Sequence, residues 1–307
     1  MGGINFDEMG NISKIDRKLL DEYFYIGGLE IIKKQISADG TVKYLFGLGD
    51  GSMIESVFMK YKHGNTVCIS TQVGCRMGCA FCDSAIGGLS RDLLPSEMLL
   101  QVMAVQKDAK SRISNVVLMG IGEPLDNFDN TIKFLRLIND KNGLNIGYRH
   151  ISVSTCGLVD KINKLKNINI PVTLSVSVHA PNDDIRNKLM PINNKWGVDA
   201  LLEACRGYAN HTKRRVSFEY VLIDGLNDSQ DNARELAHKI KNILCHVNLI
   251  PLNRVLRGGF APTGEKKARI FLQTLENCGI NATVRRKCGD DINAACGQLK
   301  KIAGDIK

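Results

Sequence analysis

Three cysteines stand at a C-x3-C-x2-C spacing in Cys75-Arg-Met-Gly-Cys79-Ala-Phe-Cys82. Thiolates are soft ligands that suit iron–sulfur clusters and zinc. Three local sulfurs can hold a [4Fe–4S] cluster by three of its irons and leave the fourth open to a small molecule. With a remote fourth ligand, the same run would hold structural zinc. Further on, Gly120-Ile-Gly-Glu-Pro124 forms a tight-turn signal that carries one carboxylate. The chain holds ten cysteines. A reducing compartment disfavours a disulfide framework, so a cluster of cysteines points to metal or redox chemistry. Taken by themselves, Cys68 and Cys296 read as small packing residues, as do Cys156, Cys205, Cys245 and Cys278. Cys288 has no assignment.

The elements that must position these residues alternate. Residues 13–36 read as helical, broken at Gly27-Gly28. Two strand-like runs follow, one ending at Leu48 and one over 53–61, which makes a small N-terminal α+β extension over 1–62. From there short β-branched runs alternate with helical segments. The runs are Thr66–Thr71, 115–120, 150–155, 172–179, 215–223, 246–252 and 281–287, and a long helical region follows the fourth. Such alternation means a parallel sheet with helical crossovers. Six or so units predict an α/β fold of partial (β/α)6 barrel type over 63–307, with ligands at the C-terminal ends of the strands. The cysteine cluster and the Gly-Glu turn both follow predicted strands.

The 307 residues suffice for such a barrel with a small addition, or for two ordinary domains. The net charge of +9 suits a polyanionic partner. No run approaches the roughly 20 apolar residues of a membrane span. The N-terminus lacks a signal-peptide core, and Phe6 stands where a myristoyl site wants Ser or Thr. A cytoplasmic protein with no membrane partner is expected.

The cluster spacing, with Phe81 before the last cysteine, resembles the motif of the radical S-adenosylmethionine superfamily, and Gly120–Pro124 resembles its Gly-Gly-Glu-Pro motif. From about Ile54 to Leu299 the chain is similar to one branch, the RlmN/Cfr family of RNA adenine methyltransferases. The likeness rests on Cys68–Cys75, Met119–Pro124, Ser177–Asp183, Lys188–Asn193, His246–Asn253 and Gly289–Leu299.

The resemblance implies a [4Fe–4S] cluster on Cys75, Cys79 and Cys82, whose open iron chelates S-adenosylmethionine and whose electron generates a deoxyadenosyl radical. It implies cofactor contacts at Gly122, Glu123, Ser154, Ser177, His179 and Asn253. Cys296 would accept a methyl group, which the radical converts to a methylene radical that adds to adenine and links RNA to the protein. Cys68 would attack the Cys296 sulfur and release the methylated base. Glu55 is the candidate acid/base that removes the ring proton. The implied partners are 23S rRNA, tRNA or both, and a flavodoxin-type or other low-potential reductant. The stretches before Cys75 and at Ile86–Leu89 lean toward methylation of C2. Members of the family carry an N-terminal helical accessory domain, which is expected here in shortened form. Alternative readings are methylation of C8 as in the resistance branch, a radical methylase of a non-RNA substrate, and a zinc-containing RNA-binding protein without catalysis.

Overall fold

A computed structural model describes residues 5–62, 64–253, 259–286 and 288–299. Met1-Gly2 and His63, at the expected boundary, lie outside them, as does Lys287.

Twelve strands and eight α-helices make up the described chain. Three strands open it: β1 (Glu30–Ile36), β2 (Val42–Gly47) and β3 (Met53–Tyr61). They pair antiparallel in sequence order, and β3 pairs antiparallel with β4 (Gly64–Cys68). From β4 the sheet continues in parallel through β7 (Ile113–Leu118), β8 (Ile151–Thr155), β9 (Thr173–Ser177), β10 (Val216–Leu222), β11 (Cys245–Pro251) and β12 (Ala282–Val284). A separate ribbon of β5 (Gln72–Gly74) and β6 (Leu89–Asp92) brackets the cysteine loop.

The helices supply the crossovers. They are α2 (Pro95–Ala109), α3 (Phe128–Asn139), α4 (Val159–Asn167), α5 (Asp183–Leu189), α6 (Val198–Thr212), α7 (Gln230–Ile240) and α8 (Glu265–Asn277), with α1 (Lys14–Tyr23) ahead of the sheet. This is the partial barrel that the strand–helix alternation predicts.

Two stretches depart from the sequence reading. Residues 30–36 are strand β1, not helix. The helix stops at Tyr23, ahead of Gly27-Gly28, and the isoleucine-bearing run after the glycines finds a ready partner edge in β2. The long helical region after β9 divides into α5 and α6, because Pro191 and Gly197 interrupt it.

The parallel strands alternate in a way that builds the site. Val153, Val176, Phe218 and Tyr220 are fully buried core residues. Their neighbours Ser154, Ser177 and Glu219 instead line a central cavity. Alternate side chains of a strand point to opposite faces, so the inner face carries these polar groups among apolar ones such as Val221, Ile250 and Leu252.

Candidate active site

The loop after β5 carries the three clustered cysteines. Cys75, Cys79 and Cys82 line the central cavity together with Phe81 and Met77. Two backbone bonds fix the loop: Ala80 N–H donates to the Leu189 carbonyl at 2.9 Å, and Asp83 N–H donates to the Gly297 carbonyl at 2.8 Å. Phe81 packs edge-on against His179, with ring centroids 4.8 Å apart. Among the described residues no group of His, Cys, Asp or Glu converges closely enough to hold a single metal ion. The cysteines border the cavity without meeting at one point. Burial pushes the Cys75 thiol up to about 12, and raises Cys79 and Cys82 as well. These sulfurs are therefore neutral until a cation arrives to favour the thiolate.

The turn after β7 needs glycine twice. A Cβ on Gly120 would lie 2.6 Å from the Ile69 carbonyl oxygen, and Gly122 has φ +105° with Gln72 Cβ 2.6 Å from where its own would be. This close approach leads to Glu123, which is buried. Its carboxylate accepts from the N–H groups of Cys156 at 2.7 Å and Leu125 at 3.0 Å. Burial outweighs these donors and pushes its pKa up to about 7. An ammonium group placed beside it would restore the ionised form. Across the cavity, the buried Asn253 Oδ1 has no hydrogen-bond partner among the described residues, while its Nδ2 donates to the Cys296 carbonyl at 3.0 Å. A buried carboxylate short of a cation and an amide oxygen short of a donor are what an aminoacyl ligand would satisfy.

Ser154 and Ser177 also line this cavity. His179 lines it too, but its Nδ1 accepts from Val221 N–H at 2.9 Å and burial lowers its pKa to about 3. The ring is thus neutral and oriented by the backbone.

The sequence reading overlooked Arg186, which lies fully buried behind this wall. Its guanidinium donates to the carbonyls of Val178, Cys156 and Ser177 and to Asn193 Oδ1, at 2.7–3.0 Å. It ties the ends of β8 and β9 to the turn after α5. The only sequence signal was its place between two stretches noted for other reasons.

The tail completes the site. Cys296 lines the central cavity and also a second one, whose wall includes Cys68 and Cys288. The two cavities share Met119, Ile250, Asn253 and Arg285 as well. Arg285 was not singled out in the sequence, because it closes a strand-like run. Its guanidinium faces Cys296, Glu219, Tyr61 and Cys68, and Cys296 is the strongest influence raising its pKa. The Arg285 Nη1 lies 3.9 Å from Glu219 Oε2. Cys68 is buried on β4, and burial pushes its thiol up to about 12. All ten cysteines are free thiols.

The N-terminal hairpin holds this tail. Ser37 Oγ donates to Asp291 Oδ1 at 2.5 Å, Ala38 N–H donates to its Oδ2 at 3.2 Å, and Lys43 Nζ donates to the Asn293 carbonyl at 3.1 Å. Lys43 also pairs at 2.8 Å with Glu55, which is buried on β3. Glu55 shares a strand face with Val57, Met59 and Tyr61, which line the second cavity.

Comparison with known proteins agrees with this geometry. The Radical SAM superfamily matches residues 69–237. A probable dual-specificity RNA methyltransferase RlmN of Clostridium novyi is 53% identical over 97% of this chain and 87% of its own length. Its counterpart in Alkaliphilus oremlandii is 54% identical over 96% of this chain and 87% of its own length. The crystal structure of a radical SAM methyltransferase from Sphaerobacter thermophilus superposes with a TM-score of 0.92. It is 44% identical and covers 96% of this chain and 88% of its own.

Proposed function

We propose, on the premise that this chain belongs to the RlmN family within the radical SAM superfamily, that it methylates C2 of an adenosine in 23S rRNA and tRNA. Membership sets aside the reading as a zinc protein without catalysis. The observation that carries the active-site assignment is the position of Cys296. It stands between the cavity lined by Cys75, Cys79 and Cys82 and the cavity lined by Cys68.

Cys75, Cys79 and Cys82 would hold the [4Fe–4S] cluster. Glu123 and Asn253 would take the amino-acid end of S-adenosylmethionine, beside Gly122, Ser154, Ser177 and His179. Bound there, the pair supplies a methyl group and one-electron radical chemistry; a flavodoxin-type or other low-potential donor supplies the electron.

The protein's own groups do the rest. Cys296 presents a sulfur nucleophile, and the Arg285 guanidinium lines the same cavity beside it. Once the radical chemistry has taken one hydrogen from the methyl group carried on Cys296, that carbon would bond to adenine and link RNA to the tail; the adduct's unpaired electron would pass to the cluster held by Cys75, Cys79 and Cys82 as the ring proton leaves. Glu55 is the candidate to take the ring proton, and the ammonium of Lys43 holds that carboxylate in place. Cys68 stays a neutral thiol through these steps because of its burial. On losing its proton it attacks the Cys296 sulfur; the disulfide forms, the bond from that sulfur to the transferred carbon breaks, and the carbon leaves with the electron pair and takes up a proton to give the methylated base. The absence of any helix long and apolar enough to cross a membrane, among the described residues, suits an enzyme that works in the cytoplasm with its RNA.

Trapping tests the assignment. Cys68→Ala protein with bound cluster, incubated with RNA, S-adenosylmethionine and a reductant, is expected to accumulate a protein–RNA adduct on denaturing gels. An adduct formed by Cys296→Ala protein would overturn the role given to Cys296.

A further inference from the structure

The second cavity holds a third sulfur that the proposed chemistry does not use. Cys288 lines it with Cys68 and Cys296, but Cys288 and Cys68 are both absent from the wall of the central cavity. Cys68 is the buried one of the three thiols, and Cys288 and Cys296 are both half-buried. Cys68 is buried on β4, whereas Cys288 is half-buried and follows the exposed Arg286, to whose carbonyl its Sγ donates at 4.0 Å. Cys288 thus sits at the rim and Cys68 at the floor. The Tyr61 hydroxyl lies 3.9 Å from the Cys288 sulfur.

The loop between Cys288 and Cys296 is pinched at its neck. Ala294 N–H donates to the Gly289 carbonyl at 2.9 Å, and a Cβ on Gly289 would stand 2.7 Å from Ala294 Cβ. Cys288 comes one residue before this neck and Cys296 two residues after it. The pinch therefore brings the two cysteines to the same side of one short loop. Positive-φ residues at Gly289, Asn293 and Gly297 give the loop the backbone freedom to adjust.

We infer that Cys288 is a relay thiol that reopens the Cys68–Cys296 disulfide after each turnover. The inference rests on the reading that Cys68 and Cys296 form that disulfide. Cys288, as thiolate, attacks the Cys296 sulfur; a Cys288–Cys296 bond forms, the Cys68–Cys296 bond breaks, and Cys68 leaves as the thiolate and takes up a proton. No net oxidation occurs in this exchange. An external dithiol then attacks the bond at the rim. It is oxidised to its own disulfide, and Cys288 and Cys296 return as thiols. The exchange frees the buried Cys68 and leaves the oxidised bond between the two half-buried thiols, Cys288 and Cys296.

The test uses the full chain with its cluster bound. Mild diamide oxidation followed by alkylation and peptide mass spectrometry reports which cysteines pair. In wild-type protein a Cys68–Cys296 bond is expected. In Cys68→Ala protein a Cys288–Cys296 bond should replace it. With the wild-type bond preformed, reduction by a thioredoxin-sized dithiol should slow about tenfold or more in Cys288→Ser protein, while a small phosphine reduces both proteins alike. The phosphine arm separates lost relay from altered folding. If wild-type oxidation never joins Cys68 to Cys296, the underlying reading fails. If that bond forms but Cys68→Ala yields no Cys288–Cys296 bond, or Cys288→Ser is reduced as fast as wild type, the relay is refuted.

Discussion

The cysteine loop and the cysteine tail reach the same cavity by different means. The loop at 75–82 is a contiguous stretch, closed between the two strands of one small ribbon. Its sulfurs are neighbours because they are close in sequence. The tail at 288–299 gains its surroundings from elsewhere: β4 supplies Cys68, the approach to the tail supplies Arg285, and the β1–β2 hairpin supplies its anchors. Metal ligation can be encoded in a short spacing. The proposed transfer of a carbon between protein and RNA would draw on partners brought from both ends of the chain. The N-terminal strands extend the barrel sheet and brace the tail, so they contribute to the site without lining the cluster cavity.

The contrast can be broken outright by paired substitutions. Cys79→Ala is expected to lose the cluster, seen as loss of visible absorbance, and with it all deoxyadenosine formation. Cys296→Ala should keep the cluster absorbance and lose methylation completely. Equal cluster loss in both proteins would mean that loop and tail are one unit.

Arg186 sharpens the comparison on the side of the loop. Its removal takes a donor from the carbonyls of Cys156 and Ser177 and from the Asn193 amide oxygen in the core, while the Val178 carbonyl keeps Ala180 N–H. Arg186→Met should lower stability by about 3 kcal/mol or more, measured by denaturant unfolding. A loss under about 1 kcal/mol would show that water replaces the guanidinium.

Lys43 does the same for the tail. Lys43→Met removes the cation from Glu55 and the bond to the Asn293 carbonyl. Turnover should fall about tenfold, a barrier change of about 1.4 kcal/mol, with cluster content retained. Unchanged turnover would detach the hairpin from the chemistry.

The smallest effect concerns His179. Its folded pKa of about 3 lies below the unfolded value of 6.5. The unfolded chain therefore binds a proton that the folded chain refuses, and stability contributed by the neutral ring declines as pH falls from 6.5 toward 3. Asn at 179 can keep an acceptor for Val221 N–H and tolerates the positive φ of 53°. The melting temperature of His179→Asn should decline less than that of wild type between pH 7 and pH 5. Parallel declines would mean that other groups dominate the acid side.

Legibility followed the same division. Spacing alone picked out Cys75, Cys79 and Cys82, and the strand–helix alternation predicted the barrel. Gly120–Pro124 read by itself as a tight turn after a strand, and Glu123 stood out only with the cysteine cluster upstream. Residues 30–36 were misread, because seven residues of mixed isoleucine, lysine and glutamine carry no clear period until β2 pairs with them. Arg285 and Arg186 carried no local signal. Their significance lies in which carbonyls and sulfurs the fold sets around them. Cys68 and Cys296 stood out only through family likeness, since an isolated cysteine in a strand or an Ala-Ala-Cys-Gly run is ordinary packing.

Nucleoside mass spectrometry tests the central claim most directly. The enzyme, with its cluster reconstituted without oxygen, would be given S-adenosylmethionine and a low-potential reductant, with unmodified 23S rRNA and tRNA in separate reactions. The account predicts 2-methyladenosine from both RNAs. Appearance of 8-methyladenosine, or deoxyadenosine release with no methylated adenosine in either RNA, would contradict it.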